Sequence, residues 1–123
     1  MSQVILEPTF ENVEKALARI VATVHPSRII AFGSRARGVH AIDSDLDLLV
    51  VLAGDRDYRG LAGDLYHAVG ALGFSKDFVL SNEARLEQLQ HHNNSVEAEA
   101  VREGITLYEN GRTDRAALTQ VCR

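Results

Sequence analysis

The chain has 123 residues, of which 46% are apolar, and a formal net charge of −4 from 13 basic and 17 acidic residues. This length predicts a single domain over 1–123, with a core over about 10–108 and a C-terminal tail over 109–123. The small acidic surplus argues against direct binding of duplex nucleic acid or of an anionic membrane. It does not argue against a nucleotide whose charge is neutralised by a metal.

The N-terminal sequence and the hydropathy pattern favour a cytoplasmic protein. The opening residues, MSQVILEP, carry no basic segment before Glu7 and Pro8, so no signal peptide is predicted. No apolar run reaches the 18 residues that a membrane-spanning helix requires. Cys122 is the only cysteine, so an intramolecular disulfide is excluded, and an exposed, unreactive thiol is expected.

The first predicted elements are a helix and a buried strand. Apolar residues recur in steps of three and one from Phe10 to Val24, which is the spacing of one helical face. Thr9 is a suitable N-cap, and Pro26 ends the helix. Residues 28–33, RIIAFG, are apolar and partly β-branched, which predicts a short buried strand that ends at a glycine.

The middle of the chain predicts a loop, a strand and a helix. Residues 34–44 are polar and contain glycine, so we expect a short helical turn and a loop in which Asp43 is solvated or caps a neighbour. A strand over 45–52 follows. After a turn, a helix begins at about Tyr58 and is expected to end at Gly73.

The C-terminal half predicts a strand over 76–80, a helix over 82–90 and a further helix that ends before Gly104. Asn94 and Glu97 have the spacing of a capping box at the start of that further helix. A short strand or an extended tail completes the chain. These elements predict an α+β domain in which helices pack on a small mixed sheet.

Two acidic residues stand in the otherwise apolar second strand. Because side chains alternate along a strand, Asp45 and Asp47 point to the same face, about 7 Å apart at Cα, while Leu46 and Leu48 face the core. A buried carboxylate without a partner is strongly disfavoured. Two carboxylates that converge on a divalent cation are tolerated, and Mg²⁺ prefers oxygen ligands and keeps positions open for water and phosphate.

The end of the first strand has the character of a phosphate site. Gly33 allows a bulky anion to approach the backbone, and the free N–H groups of the following turn, together with the Ser34 hydroxyl, suit a terminal phosphate. Arg35 and Arg37 are candidate donors to the same nucleotide, although one of them is equally well explained as a surface helix residue. A P-loop is excluded, because Val and His follow its second glycine in place of Lys and Ser/Thr. A Rossmann fingerprint is excluded as well, since the chain contains no G-x-G-x-x-G.

The glycine-serine pair, ten intervening residues and the Asp-Leu-Asp triplet all lie in GSRARGVHAIDSDLDLLVV, residues 33–51. This string resembles the signature of the polymerase-β-type nucleotidyltransferase superfamily, and most closely its minimal nucleotidyltransferase (MNT) branch. The resemblance implies that Ser34 binds the phosphate tail of ATP and that Asp45 and Asp47 hold Mg²⁺, with two ions in the complete site. It also implies a third acid on a later strand, for which Asp77 is the best match. These three aspartates are the implied catalytic and metal-binding residues.

The resemblance also implies a reaction and a partner. The reaction is attack by a hydroxyl on the α-phosphate of ATP, with the third acid taking the proton. Because MNT proteins are commonly antitoxins of small helical HEPN ribonucleases, the implied acceptor is a tyrosine of such a toxin. Two alternatives stay open: a non-catalytic antitoxin that masks its partner, and a homodimeric nucleotidyltransferase for small molecules such as aminoglycosides. Tyr58, Tyr66 and Tyr108 are expected to be packing residues, although any of them could border a nucleotide.

Overall fold

The computed structural model describes residues 7–41, 44–54 and 56–122; the predicted Asp43 loop residue lies outside them. The described residues form an α+β fold with a five-stranded sheet, as the sequence predicts. None of the helices in these ranges is long and apolar enough to cross a membrane. The elements are α1 Phe10–Val24, β1 Pro26–Phe32, α2 Ser34–Arg37, β2 Leu46–Leu52, α3 Leu61–Val69, β3 Lys76–Asn82, α4 Glu83–Leu89, α5 Val96–Glu103, β4 Ile105–Glu109, β5 Arg112–Thr113 and α6 Arg115–Val121.

The sheet is mixed and has the strand order β3-β2-β1-β4-β5. Strands β2 and β3 run parallel, whereas the other neighbouring pairs are antiparallel. In register, Asp47 of β2 lies opposite Asp77 of β3 on one side and Phe32 of β1 on the other. The end of β1 therefore lies beside the beginnings of β2 and β3, so this edge brings together the segments that carry the candidate site residues.

Helices cover both faces of the sheet. On the face packed by α1, α3 and α6, Leu46 and Leu48 are fully buried, as predicted. The opposite face has its own apolar cluster, in which Leu49 and Val51 pack with residues of α4 and α5. By strand alternation Asp47 belongs to this second face. The aspartate side of β2 is therefore exposed only at its N-terminal end and buried further along.

The boundary of α3 differs from the prediction. The helix ends at Val69 with Gly70 as its C-cap, three residues before the predicted Gly73. Gly70 takes φ 66° and ψ −166°, a conformation that a glycine adopts easily, and the chain leaves the helix there. The guanidinium of Arg19 donates to the Val69 carbonyl at 2.6 Å and satisfies one of the free acceptors at this helix end.

The predicted capping box of α5 is wrong by one residue. Ser95, not Asn94, is the N-cap, and its hydroxyl accepts a hydrogen bond from the Ala98 N–H at 3.0 Å. Glu97 is buried and accepts a hydrogen bond from the Ser81 hydroxyl at 2.8 Å. Its carboxylate therefore links α5 to β3 rather than closing the cap.

The predicted C-terminal tail is a folded part of the structure. It forms β5 and α6, and Ala117, Leu118 and Val121 are buried against the core. The guanidinium of Arg115 lies 4.6 Å from the centre of the Phe10 ring and so ties α6 to α1. The Cys122 thiol is only partly exposed and packs beside the core, and burial raises its pKa. The expectation of an exposed thiol is therefore wrong.

An ion pair between β1 and α4 predicts a pH dependence of stability. Arg28 donates to both carboxylate oxygens of Glu83, from Nε to Oε2 at 3.0 Å and from Nη2 to Oε1. These hydrogen bonds, with one from Ser27, hold the pKa of Glu83 below its ordinary value of 4.5. A carboxyl with a lowered pKa stabilises the folded state above its unfolded pKa, and this contribution is lost as the pH falls through the folded pKa.

At neutral pH we expect Glu83→Gln to lower the free energy of unfolding by less than about 1 kcal/mol, because the pair is partly solvated. The difference from the wild type should shrink as the pH falls below about 4.5. The control is Glu87→Gln on the exposed side of the same helix. Urea unfolding at several pH values measures the effect, and equal pH profiles for the two variants would contradict it.

Candidate active site

A glycine corner ends β1 and brings the backbone against Asp47. Gly33 takes φ 77° and ψ −160°, which favours glycine, and α2 begins at the next residue, Ser34. A Cβ on Gly33 would lie 2.3 Å from Asp47 Oδ2. The absence of a side chain at Gly33 is therefore what leaves room for the Asp47 carboxylate beside the serine.

The three predicted acids lie at the same edge of the sheet. Asp47 and Asp77 are register partners on parallel strands, and Asp45 directly precedes β2. Asp47 is half-buried, whereas Asp45 and Asp77 are exposed. The structure thus brings together Gly33, Ser34 and the three aspartates across the ends of three adjacent strands.

The carboxylates create an excess of negative charge at this edge. Burial raises the pKa of Asp47 above its ordinary value, and the nearby charges of Asp77, Asp45 and Glu99 raise it further. Arg37 opposes the shift. The ionised Asp47 is therefore destabilised where it stands, as expected of a group whose charge a bound cation would offset.

Tyr66 binds the third acid. Its hydroxyl donates to Asp77 Oδ1 at 2.7 Å and accepts from the Phe78 backbone N–H at 2.9 Å. Its ring lies 4.7 Å from that of Phe78. Burial raises the pKa of Tyr66, the hydrogen bond to Asp77 adds to this, and the Phe78 N–H opposes it.

The two arginines of the motif have different environments. Arg35 is buried, and its Nε donates to the Ser44 carbonyl at 2.8 Å, which holds the loop that leads into β2. Arg37 is exposed, and its Nη1 lies 3.4 Å from carboxylate oxygens of both Glu99 and Glu103 on α5. The structure therefore places Arg35 in the protein interior and Arg37 on a surface ion-pair network close to Asp47.

The donor chemistry of this edge fits Mg²⁺, since all three acids supply carboxylate oxygens. In the ranges that the structure describes, no three or more His, Cys, Asp or Glu side chains are arranged to hold a metal ion. Asp77 Oδ1 is engaged by the Tyr66 hydroxyl. The acids are therefore neighbours in the sheet without converging on one point.

One surface depression lies away from the aspartates. It has a volume of about 630 Å³ and is lined by the β4–β5 hairpin and its flanks. None of its lining residues is a predicted site residue. The three aspartates lie outside it, at the open sheet edge, whereas a smaller depression of about 330 Å³ is lined in part by Arg35 and Arg37.

The chain is thus an α+β domain with a glycine corner and three carboxylates at one edge of its sheet. A family model described as the nucleotidyltransferase domain matches residues 11–105. The chain therefore belongs to the nucleotidyltransferase domain family, and its general activity is nucleotidyl transfer. No curated protein sequence matches the chain.

A solved structure shows the same fold. A candidate nucleotidyltransferase from Sulfolobus solfataricus superposes with a TM-score of 0.60 at 15% identity, covering 85% of this chain and 83% of that one. A structure of a toxin-antitoxin with AMP-PNP has a TM-score of 0.48 at 22% identity, covering 88% of this chain and 80% of that one. The first similarity concerns the fold alone, and the second is too weak to bear on function.

The sequence did not single out Tyr66 or Glu99 as neighbours of the acids. Tyr66 reaches Asp77 because α3 packs beside the edge strand β3. The charge of Glu99 raises the pKa of Asp47 because α5 packs across β1. Both contacts depend on tertiary packing and have no signature in residue spacing. A helical tyrosine eleven residues before Asp77 is a weak local signal.

The corner at Gly33 gives a direct test of the site. We expect Gly33→Ala to lower nucleotidyl transfer about a hundredfold, because the methyl group displaces the Asp47 carboxylate and such misplacement strongly slows catalysis. The matched control is Gly70→Ala, because Gly70 has nearly the same backbone conformation, φ 66° and ψ −166°, and among the described residues its new Cβ would meet only the end of the Arg19 side chain, at 3.9 Å. Equal transfer rates in the two variants would show that the contact between Gly33 and Asp47 has no role in the site.

Proposed function

We propose that the chain is a Mg²⁺-dependent nucleotidyltransferase that transfers AMP from ATP to a hydroxyl acceptor. The observation that carries the proposal is the contact of Gly33 with Asp47 and the pairing of Asp47 with Asp77 across adjacent strands. The Gly33 corner lies on one side of the central acid and Asp77 on the other, an order that suits a triphosphate bound at the corner.

The residues are assigned roles from this order. The backbone at Gly33 and the hydroxyl of Ser34 bind the β- and γ-phosphates. Asp45, Asp47 and Asp77 would hold Mg²⁺, which would supply the positive charge that stabilises the triphosphate and the leaving pyrophosphate.

The acceptor hydroxyl attacks the α-phosphorus in line with the departing pyrophosphate, and Asp77 accepts its proton. Of the two motif arginines, Arg37 is the better candidate for stabilising charge on the nucleotide, because Arg35 is buried and bound to the loop. This role requires Arg37 to exchange at least part of its contact with Glu99 and Glu103 for a phosphate.

The proposed acceptor is a tyrosine of a HEPN-type toxin, and the chain is its cytoplasmic antitoxin. The support is the motif in residues 33–51, which resembles the MNT branch. A protein partner also suits an open sheet edge, because a macromolecule can cover the nucleotide and exclude water while it presents its hydroxyl.

Co-expression of this chain with the product of the gene next to its own, the neighbouring gene product, tests the partner and the chemistry together. We expect mass spectrometry to find AMP on a tyrosine of that protein, and Asp45→Asn combined with Asp47→Asn to abolish it while folding is retained. Neutralisation that survives in the double variant without any label would instead indicate a masking antitoxin. Aminoglycoside resistance in expressing cells, without label on the partner, would indicate a small-molecule acceptor.

A further inference from the structure

Tyr66 holds a hydroxyl in hydrogen-bond contact with the acid assigned to take the acceptor proton. The hydroxyl donates to Asp77 Oδ1 at 2.7 Å, which is the geometry required between an acceptor and its general base. It also accepts the Phe78 N–H at 2.9 Å, and that donor would stabilise negative charge on the same oxygen as the proton leaves.

The position of Tyr66 along the sheet edge suits an in-line reaction. The order across the sheet is β1 with Gly33, then β2 with Asp47, then β3 with Asp77. Because β2 pairs with one edge of β3, the Phe78 N–H that binds Tyr66 points to the opposite, outer edge. Tyr66 thus lies at the far end of the row from the phosphate corner, where an in-line displacement needs its nucleophile.

Exposure distinguishes Tyr66 from the other two tyrosines of the chain. Tyr66 is 40% exposed, whereas Tyr108 is only 9% exposed. The Tyr58 hydroxyl is buried and has no hydrogen-bond partner. A nucleotide at the sheet edge can therefore approach Tyr66, whereas the Tyr58 hydroxyl is buried and Tyr108 lines a different depression, at the β4–β5 hairpin.

We propose that Tyr66 is a self-acceptor, so that the chain transfers AMP from ATP to its own Tyr66 hydroxyl; this inference rests on the proposed function. A bond forms between Tyr66 Oη and the α-phosphorus, and the bond from that phosphorus to the oxygen bridging to the β-phosphate breaks. Pyrophosphate leaves with the electron pair, and the phenolic proton passes to Asp77. The product is an AMP–tyrosine phosphodiester.

A self-acceptor in this position also competes with any other acceptor. While the Tyr66 hydroxyl donates to Asp77 Oδ1, that oxygen is not free to receive the proton of a partner's hydroxyl. A partner's hydroxyl must therefore use the second carboxylate oxygen of Asp77 or displace Tyr66 before it is modified. Self-modification is accordingly expected to be strongest when the chain is alone.

The experiment incubates the purified full chain with Mg²⁺ and ATP labelled in the α-phosphate, with and without the neighbouring gene product. We expect covalent label on the wild type and on the control Tyr58→Phe, and at least a tenfold loss of label in Tyr66→Phe. Peptide mapping should place one AMP on Tyr66, and excess pyrophosphate should return the label as ATP. The map of the wild-type chain decides the assignment even if Tyr66→Phe does not fold.

The outcomes separate the two proposals. Label on the partner but not on Tyr66 would overturn the self-acceptor and leave the proposed function standing. Label on a different residue of this chain, or undiminished label in Tyr66→Phe, would overturn it in the same way. No covalent label on either protein would refute the proposed function and the self-acceptor with it.

Discussion

Asp47→Asn is expected to lower nucleotidyl transfer by roughly 10²–10³-fold and, in the absence of metal and nucleotide, to raise the melting temperature by roughly 2–5 °C. The loss of transfer follows from removing the central carboxylate, which lies beside both Gly33 and Asp77. The gain in stability follows because burial and the neighbouring acids raise the pKa of Asp47, so its charged form is destabilised at neutral pH.

The sign of the stability change is set by linkage. A carboxyl whose folded pKa is raised destabilises the folded state most when the pH exceeds that pKa, because the unfolded chain ionises more easily. Asparagine keeps the shape and removes the charge. The stability gain should therefore shrink at acidic pH, where the wild-type carboxyl is protonated as well.

Glu87→Gln, on the exposed side of α4, is the control and should change neither property appreciably. Differential scanning calorimetry at neutral and acidic pH, paired with the transfer assay, measures both effects. A fall in the melting temperature of Asp47→Asn at neutral pH would show that Asp47 is a structural carboxylate rather than a strained site residue.

Gly104→Ala is expected to cause the largest loss of stability, roughly 3 kcal/mol or more, and a drop of roughly 10 °C or more in the melting temperature. A Cβ on Gly104 would lie 2.2 Å from the Ala100 carbonyl oxygen, 2.6 Å from Ile30 Cγ2 and 3.0 Å from the Ala31 carbonyl oxygen. Two of these three atoms belong to the backbone and cannot move aside cheaply. Gly104 has an ordinary φ of −79°, so the requirement for glycine here comes from close packing of α5 against β1, not from backbone strain.

Gly63→Ala provides the contrasting control. Gly63 lies inside α3, and among the described residues nothing outside its own helix backbone and chain neighbours lies within 4 Å of a new Cβ. Alanine should therefore stabilise the protein by about 0.5–1 kcal/mol through helix propensity and reduced unfolded-state entropy. Urea denaturation of both variants compares the two glycines directly. A stability loss below 1 kcal/mol in Gly104→Ala would mean that α5 is free to move away from the sheet.

The parts of the fold that the sequence predicted well are those with local signals. The apolar spacing in α1 and the hydroxyl of Thr9, which accepts from the Asn12 N–H at 3.1 Å, fix the first helix. The alternation in β2 placed Leu46 and Leu48 in the core opposite Asp47. These features depend on neighbours only a few residues apart, so periodicity and capping rules can find them.

The features that the sequence missed depend on contacts between distant segments. Burial of Glu97 against Ser81 joins residues 16 apart, and it displaced the predicted capping box. The helix after Asp114 packs its apolar residues on a core built mainly by earlier elements, and its short apolar pattern alone predicts only a tail. The pairing of Asp47 with Asp77 likewise required the strand order, which the sequence leaves open.

The position of the label in ATP tests the central assignment most directly. Parallel reactions contain Mg²⁺, the chain and the neighbouring gene product, with ATP labelled in either the α- or the γ-phosphate. The sheet-edge site predicts protein-bound label from α-labelled ATP alone, and its loss in Asp47→Asn. Label transferred from the γ-phosphate, or α-label that persists undiminished in Asp47→Asn, would contradict nucleotidyl transfer at this site.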